Sequence, residues 1–238
     1  MRTNVPGGLW VVGLSTSGDR VHQARVDHGS HPETVLAVGG WSAGPPVSAT
    51  TRPDGALELA YLVTGPSGIP PAREEVPRDA DVAADEHAEP YQRVAAYAVV
   101  TSERGVLMTQ FTSLTHVAGE WGLPGGGLDH GEAPVDGVHR EVWEETGQRI
   151  VLGDLVTIQS QHWVGRAPGG GVEDFHAVRI VYRATCPEPT DVVIHDVGGT
   201  TGDARWVPVD EVSELPITSS WRSLPELTRI TRRGDGAG

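Results

Sequence analysis

The sequence predicts an α+β fold: a mixed sheet with helices packed on its faces, preceded by a small antiparallel β module. Three observations predict it. Short β-prone runs fill residues 1–70 and recur after residue 91. One helix with an apolar stripe interrupts the later runs between Glu132 and Gly147. An acidic, Pro/Ala-rich stretch at 71–90 separates the two groups of strands.

In the first group, Leu9–Leu14, Arg20–Val26, Thr34–Val38, Val47–Thr51 and Ala56–Val63 read as strands. Turn signals at Ser17-Gly18-Asp19 and Pro53-Asp54-Gly55 make them hairpins. The stretch after them carries Glu74, Glu75, Asp79, Asp81, Asp85, Glu86 and Glu89 against Arg73 and Arg78, the composition of a self-repelling linker. A second domain is expected over 91–232. Its strands are Val94–Thr101, Val106–Phe111, Leu155–Trp163, Phe175–Thr185 and Ala204–Pro208, and its late helices are Val209–Leu215 and Trp221–Ile230. Residues 233–238 read as a disordered tail.

Composition narrows the function classes. A formal net charge of −14 argues against a general nucleic-acid surface, though not against a small nucleotide held through a cation. Cys186 is the only cysteine, so no intramolecular disulfide can form and a reducing compartment fits. The apolar run within Met1–Ser15 is too short and too interrupted by glycine for a signal peptide, and no stretch spans a membrane. A cytoplasmic location is the expectation.

The helix between Glu132 and Gly147 carries the chemistry. Pro134 suits the first helical turn and Gly147 suits the stop. Val135, Val138 and Val142 form a narrow apolar stripe, and Glu141, Glu144 and Glu145 share one face beside it. Glu141 has no base four residues away on either side, whereas Glu144 has Arg140. Like charges at this spacing destabilise a helix by a few tenths of a kcal/mol per pair, roughly, and clustered hard oxygens suit Mg²⁺ or Mn²⁺.

With Gly126, Gly131 and Glu132 ahead of it, the run Arg140-Glu141-Val142-Trp143-Glu144-Glu145-Thr146-Gly147 resembles the Nudix box. The flanks Trp121–Gly127 and Ala204–Glu211 are also common in that family, and the resemblance covers about Tyr91 to Arg232. It implies a Nudix-type α/β/α sandwich and a Mg²⁺-dependent hydrolase (Mn²⁺ serving as well). The substrate class it implies is a small-molecule nucleoside triphosphate or nucleoside diphosphate derivative. An ADP-ribose or dinucleotide pyrophosphatase and a non-catalytic ligand sensor are the alternatives. The resemblance assigns metal ligation to Glu141, Glu144 and Glu145 together with the Gly125 carbonyl. It makes Glu141 a candidate for activating water, and gives Glu132 and Arg140 an orienting role as a mutual pair. One departure stands out: Gln148 follows Gly147 where the family has an aliphatic residue, with Ile150 two positions later.

Recognition of the group attached to the diphosphate must come from residues outside the box. Trp163, beside the glycine-rich Arg166–Gly171 turn, is the aromatic expected to stack on a base, ahead of Trp121, Phe175 and Trp206. Glu173 and Asp174 are candidates for substrate contact, an extra metal ligand or a base; His162 and His176 are candidates for touching phosphate or supporting a ligand. No nucleic-acid or membrane partner is expected. A homodimer is one way of covering the strand edges of the small β module.

Overall fold

Strands form where β-branched runs lie between turn residues. The computed structural model describes residues 1–65, 75–115, 117–167 and 169–234; of the expected linker and tail, residues 71–74 and 235–238 lie outside this range, as does Pro168 of the glycine-rich turn. In chain order the elements are β1 (Arg2–Thr3), β2 (Leu9–Leu14), β3 (Arg20–Arg25), α1 (Pro32–Val38), β4 (Ser42–Thr51), β5 (Leu57–Thr64), β6 (Glu89–Ser102), β7 (Gly105–Phe111), β8 (Trp121–Gly122), β9 (Gly125–Gly127), α2 (Pro134–Thr146), β10 (Val151–Arg166), β11 (Val172–Thr185), β12 (Thr201–Val207), α3 (Ser219–Arg222) and α4 (Pro225–Gly234). A 3₁₀ turn at Val212–Glu214 takes the place of the helix expected over Val209–Leu215.

The larger sheet runs β10-β11-β6-β7-β12, with β1 and β9 added to β6 and β8 added to β7. A separate four-stranded sheet runs β3-β2-β5-β4. In the small sheet β2–β3 and β4–β5 pair antiparallel, whereas β2 and β5 pair parallel from Leu9↔Leu57 to Leu14↔Leu62. No helix among the described residues is long and apolar enough to cross a membrane.

One expected strand is a helix. Thr34–Val38 belongs to α1, which starts with Pro32 in its first turn and Glu33 beside it, and buries Leu36 completely. Proline at the first helical position and an acidic first turn are helix-start signals, and here they outweigh the β-branched Thr34 and Val35.

The chain divides into two compact units. One comprises Met1–Ala96, Gly127–Pro134 and Leu155–Ile180. It holds the small sheet, and Asn4 is pinned there: its amide donates to the carbonyls of Val94 and Leu128 at 2.8 Å each, and its oxygen accepts from Val94 N–H at 2.9 Å. The described part of the acidic stretch packs on the β10–β11 hairpin. Val82 buries itself with Val164 and Val172, and Arg166 pairs with Glu86 at 3.1 Å and with Asp81 at 3.5 Å.

The other unit comprises Tyr97–Gly126, Val135–Asp154 and Val181–Gly238. Its core is apolar: Val99, Val100, Leu107, Met108, Val138, Val142 and Val181 have no exposed surface. Tyr97 packs edge-on against Trp221, which lies in α3, at 4.7 Å between ring centres.

Candidate active site

The acidic helix α2 ends as its sequence requires. Gly147 takes a positive φ of 69°, open to glycine at little cost, and its N–H closes the last turn on the Trp143 carbonyl at 2.9 Å. The buried arc is formed by Pro134, Gly137, Val138, Val142, Glu145 and Thr146. Val135, expected in the stripe, is 42% exposed. At about 100° per residue the arc centres near Val138 and Glu145, and Val135 falls inside it, between Val142 and Thr146; its exposure follows from its place in the first turn of α2 and not from its angle. Glu145 therefore lies near the middle of the buried arc and Glu141 within its span, between Gly137 and Pro134, not on a face beside it.

Glu145 is 6% exposed and held at both oxygens. Gly125 N–H donates to Oε2 at 2.8 Å, and the Thr201 hydroxyl donates to Oε1. Burial pushes its pKa up to about 8; the Thr201 and Gly125 bonds pull it down, and the Glu141 and Asp196 carboxylates add to the rise. Among the described residues no basic side chain pairs with Glu145. The Glu141 carboxylate lies directly over Gly126, where a Cβ would come within 2.6 Å of it, so only glycine allows this approach.

Arg140 donates from one Nη1 to Glu141 at 3.0 Å and to Glu144 at 2.9 Å. The i,i+4 pair with Glu144 follows from spacing; the contact with Glu141 does not, because adjacent helical residues diverge and only a long guanidinium bridges them. Glu144 is the open member of the three, with its side chain 40% exposed. Its carbonyl accepts from the N–H groups of His195 at 2.7 Å and Asp196 at 3.0 Å, which fastens the end of α2. Gly125, Glu141, Glu144, Glu145 and Arg140 are thus brought together in one unit.

Comparison with known proteins decides the family. The NUDIX domain matches residues 91–227, more than half of the chain. The chain belongs to the NUDIX family. A MutT-like protein of Streptomyces ambofaciens is 33% identical over 132 residues, covering 52% of this chain and 70% of that protein. The nucleoside triphosphatase NudI of Salmonella schwarzengrund is 28% identical over 106 residues, 44% of this chain and 72% of that one. With a Mycobacterium tuberculosis relative the match spans about half of its length, 53%. Among solved structures, the MutT protein of Methanosarcina mazei superposes with a TM-score of 0.47 at 23% identity, over 61% of this chain and 96% of that one. As a member of that family the chain is a pyrophosphohydrolase acting on a phosphorus-containing acid anhydride.

The remaining predicted residues lie in the first unit and are described there. Glu132 accepts from Asp129 N–H at 2.8 Å, and its carbonyl accepts from the Thr51 hydroxyl at 3.2 Å. Trp163 is half-buried and packs on Phe175 at 4.7 Å. Glu173 accepts from Arg2, whose guanidinium also covers the Tyr91 ring at 3.9 Å. Asp174 lies between His28 and His162. Sequence reasoning missed Thr201, Asp196 and His28. None has a partner at fixed local spacing, so no pattern in the chain announces them.

Proposed function

We propose that this NUDIX protein is a Mg²⁺-dependent hydrolase, with Mn²⁺ an effective substitute, of a diphosphate linkage in a nucleoside triphosphate or another nucleoside diphosphate derivative. The hydrolase domain is taken as 91–232, after a small β module at 1–70 and an acidic linker at 71–90. The protein is taken to act in the cytoplasm, and a homodimer is part of the reading. The observation that carries the proposal is the charge balance of the α2 cluster. Three carboxylates are gathered on one short helix, one guanidinium answers two of them, and the most buried carboxylate has no basic partner among the described residues.

The donor set fits a hard divalent cation. All three side chains offer oxygens, and Mg²⁺ binds through one or two carboxylates while keeping coordination positions for water and substrate phosphate. Glu141, Glu144 and Glu145, with the Gly125 carbonyl, would hold it. When bound, such an ion neutralises phosphate charge and favours attack by water.

The chain's own residues do the positioning. The Gly125 N–H and the Thr201 hydroxyl fix the Glu145 carboxylate in one orientation, so no side-chain entropy is lost when a ligand arrives. Gly126 leaves room for the Glu141 carboxylate, the group that in this reading takes a proton from water. Arg140 holds Glu141 and Glu144 side by side, and its charge limits their repulsion before a cation enters.

The test is a panel of nucleoside triphosphates and nucleoside diphosphate derivatives incubated with Mg²⁺, with products separated and identified. Cleavage between phosphoryl groups that chelator abolishes is expected. No cleavage of any member with Mg²⁺ or Mn²⁺, or cleavage indifferent to chelator, overturns the reading.

A further inference from the structure

A second cluster has ligand chemistry that the acidic helix does not use. His28 follows β3, His162 lies on β10 and Asp174 on β11, all in the first compact unit. One potential ligand atom from each lies within 4.8 Å of the other two. His28 Nε2 is 3.2 Å from Asp174 Oδ1, and His162 Nε2 meets the same oxygen. The His28 and His162 rings stand edge to face at 5.1 Å.

Two features separate this cluster from an ordinary hydrogen-bonded histidine pair. Both ring nitrogens of His28 are shielded from solvent; Nδ1 has no hydrogen-bond partner among the described residues, and Nε2 has only the Asp174 carboxylate, 3.2 Å away. Buried polar atoms of this kind are nearly always satisfied, and an unpaired one points to a missing ligand. The surroundings also hold the ligands without competing for them. His176 Nδ1 accepts from Gly29 N–H at 3.1 Å and faces the Gln92 amide at 3.0 Å, which leaves Nε2 protonated and donating to Ser160 Oγ at 2.9 Å. With both nitrogens engaged, His176 is a support that fixes the residue next to His28. Gly29, at φ 73°, lets the backbone approach so closely that a Cβ would lie 2.6 Å from the His162 ring.

We propose that His28, His162 and Asp174 bind a divalent transition-metal ion of the zinc class, at a site separate from the carboxylates of α2. Two imidazoles and one carboxylate suit Zn²⁺, whereas Mg²⁺ prefers oxygen donors throughout. Three protein ligands leave a position for water or another small ligand. Bound there, the ion ties the segment after β3 to the β10–β11 hairpin and stabilises the folded unit by mass action. The proposal does not rest on the hydrolase reading.

The experiment uses the full chain, stripped of metal and then given Zn²⁺ in the presence of excess Mg²⁺, with Co²⁺ as a spectroscopic substitute. One equivalent of Zn²⁺ should be retained, raising the melting temperature, and Co²⁺ should show visible bands of a low-coordinate nitrogen/oxygen site. His28→Ala and Asp174→Asn should each weaken Zn²⁺ binding by at least ~100-fold. Glu145→Gln should leave it unchanged. If His28→Ala does not melt cooperatively, His28→Gln serves as the ligand-loss variant. Failure of the parent chain to retain Zn²⁺ against Mg²⁺, or retention with parental affinity by a folded ligand-loss variant, overturns the proposal.

Discussion

Glu145 and Glu226 belong to the same compact unit and are almost equally buried, at 6% and 7% exposure, yet their surroundings are opposite. Glu226 accepts from Arg183 Nε at 2.9 Å and pairs with Arg229 one turn along α4. Burial would raise its pKa, but the two arginines overcome that and hold it below the usual carboxylate range. Glu145 meets a backbone N–H and a hydroxyl, with Glu141 and Asp196 as its charged neighbours, and its pKa is pushed up to about 8. A charge buried for stability is completed by the protein itself. Glu145 is left incomplete, beside two further carboxylates, as suits a site that an external cation completes.

The largest expected effect tests that contrast directly. Glu145→Gln and Glu144→Gln should each lower Mg²⁺-dependent turnover by ~10²-fold or more with the fold retained, because each removes a negative oxygen without removing volume. Glu226→Gln should leave turnover within about threefold, a difference below ~0.7 kcal/mol in barrier. Steady-state rates and circular-dichroism melts of the three variants decide it. The comparison fails if Glu226→Gln costs as much rate as Glu145→Gln.

The exit of α2 offers the next test. Gln148 stands where the resemblance calls for an aliphatic side chain, and the structure replaces an apolar anchor with a polar one. The Gln148 amide is 2% exposed; it donates to Thr146 O at 3.1 Å and Thr190 Oγ1 at 3.0 Å and accepts from Thr190 N–H at 3.0 Å. Gln148→Leu should therefore destabilise, by ~1 kcal/mol, because the partly buried Thr190 N–H loses its acceptor. Urea midpoints at constant m-value measure this. A neutral or stabilising outcome would show that the aliphatic anchor fits here as it does elsewhere in the family.

Arg140→Ala should act more weakly, reducing turnover about tenfold and stability by ~1 kcal/mol. Its loss removes the guanidinium that bridges Glu141 and Glu144. The melting deficit should shrink when Mg²⁺ is added, since a bound cation replaces the guanidinium's charge. A deficit of equal size with and without Mg²⁺ would make Arg140 a plain helix-surface pair.

What the sequence made legible follows from range. The strands after residue 91, the helix ending at Thr146 and the grouping of Glu141, Glu144 and Glu145 depend on neighbours two to four residues apart, and spacing reports those. The exposure of Val135 depends on what the first turn of α2 packs against, which spacing does not report. Thr201 reaches Glu145 from a distant strand, and His28 reaches Asp174 from the other end of the chain; neither partner carries a local signature. The α1 segment is a different case. Its start signals, Pro32 and Glu33, are local ones, and they outweigh the β propensity of Thr34 and Val35.

The smallest effect concerns pH and sharpens the opening contrast. A carboxylate whose folded pKa lies below its unfolded value contributes stability above the unfolded pKa, and loses it as pH falls through the folded one. Glu226 is such a group, so its contribution should be complete at neutral pH and fade below about pH 4.5, the ordinary glutamate value. The magnitude is modest, about 1 kcal/mol or less, because the Arg183 and Arg229 side chains are 38% and 49% exposed and salt screens them. The melting temperatures of the parent chain and Glu226→Gln should differ at pH 7, converge as the pH drops below 4.5, and lie closer at high ionic strength. Convergence on raising the pH instead would reverse the sign, and Glu226 would then be a group whose folded pKa is raised, as that of Glu145 is, rather than its opposite.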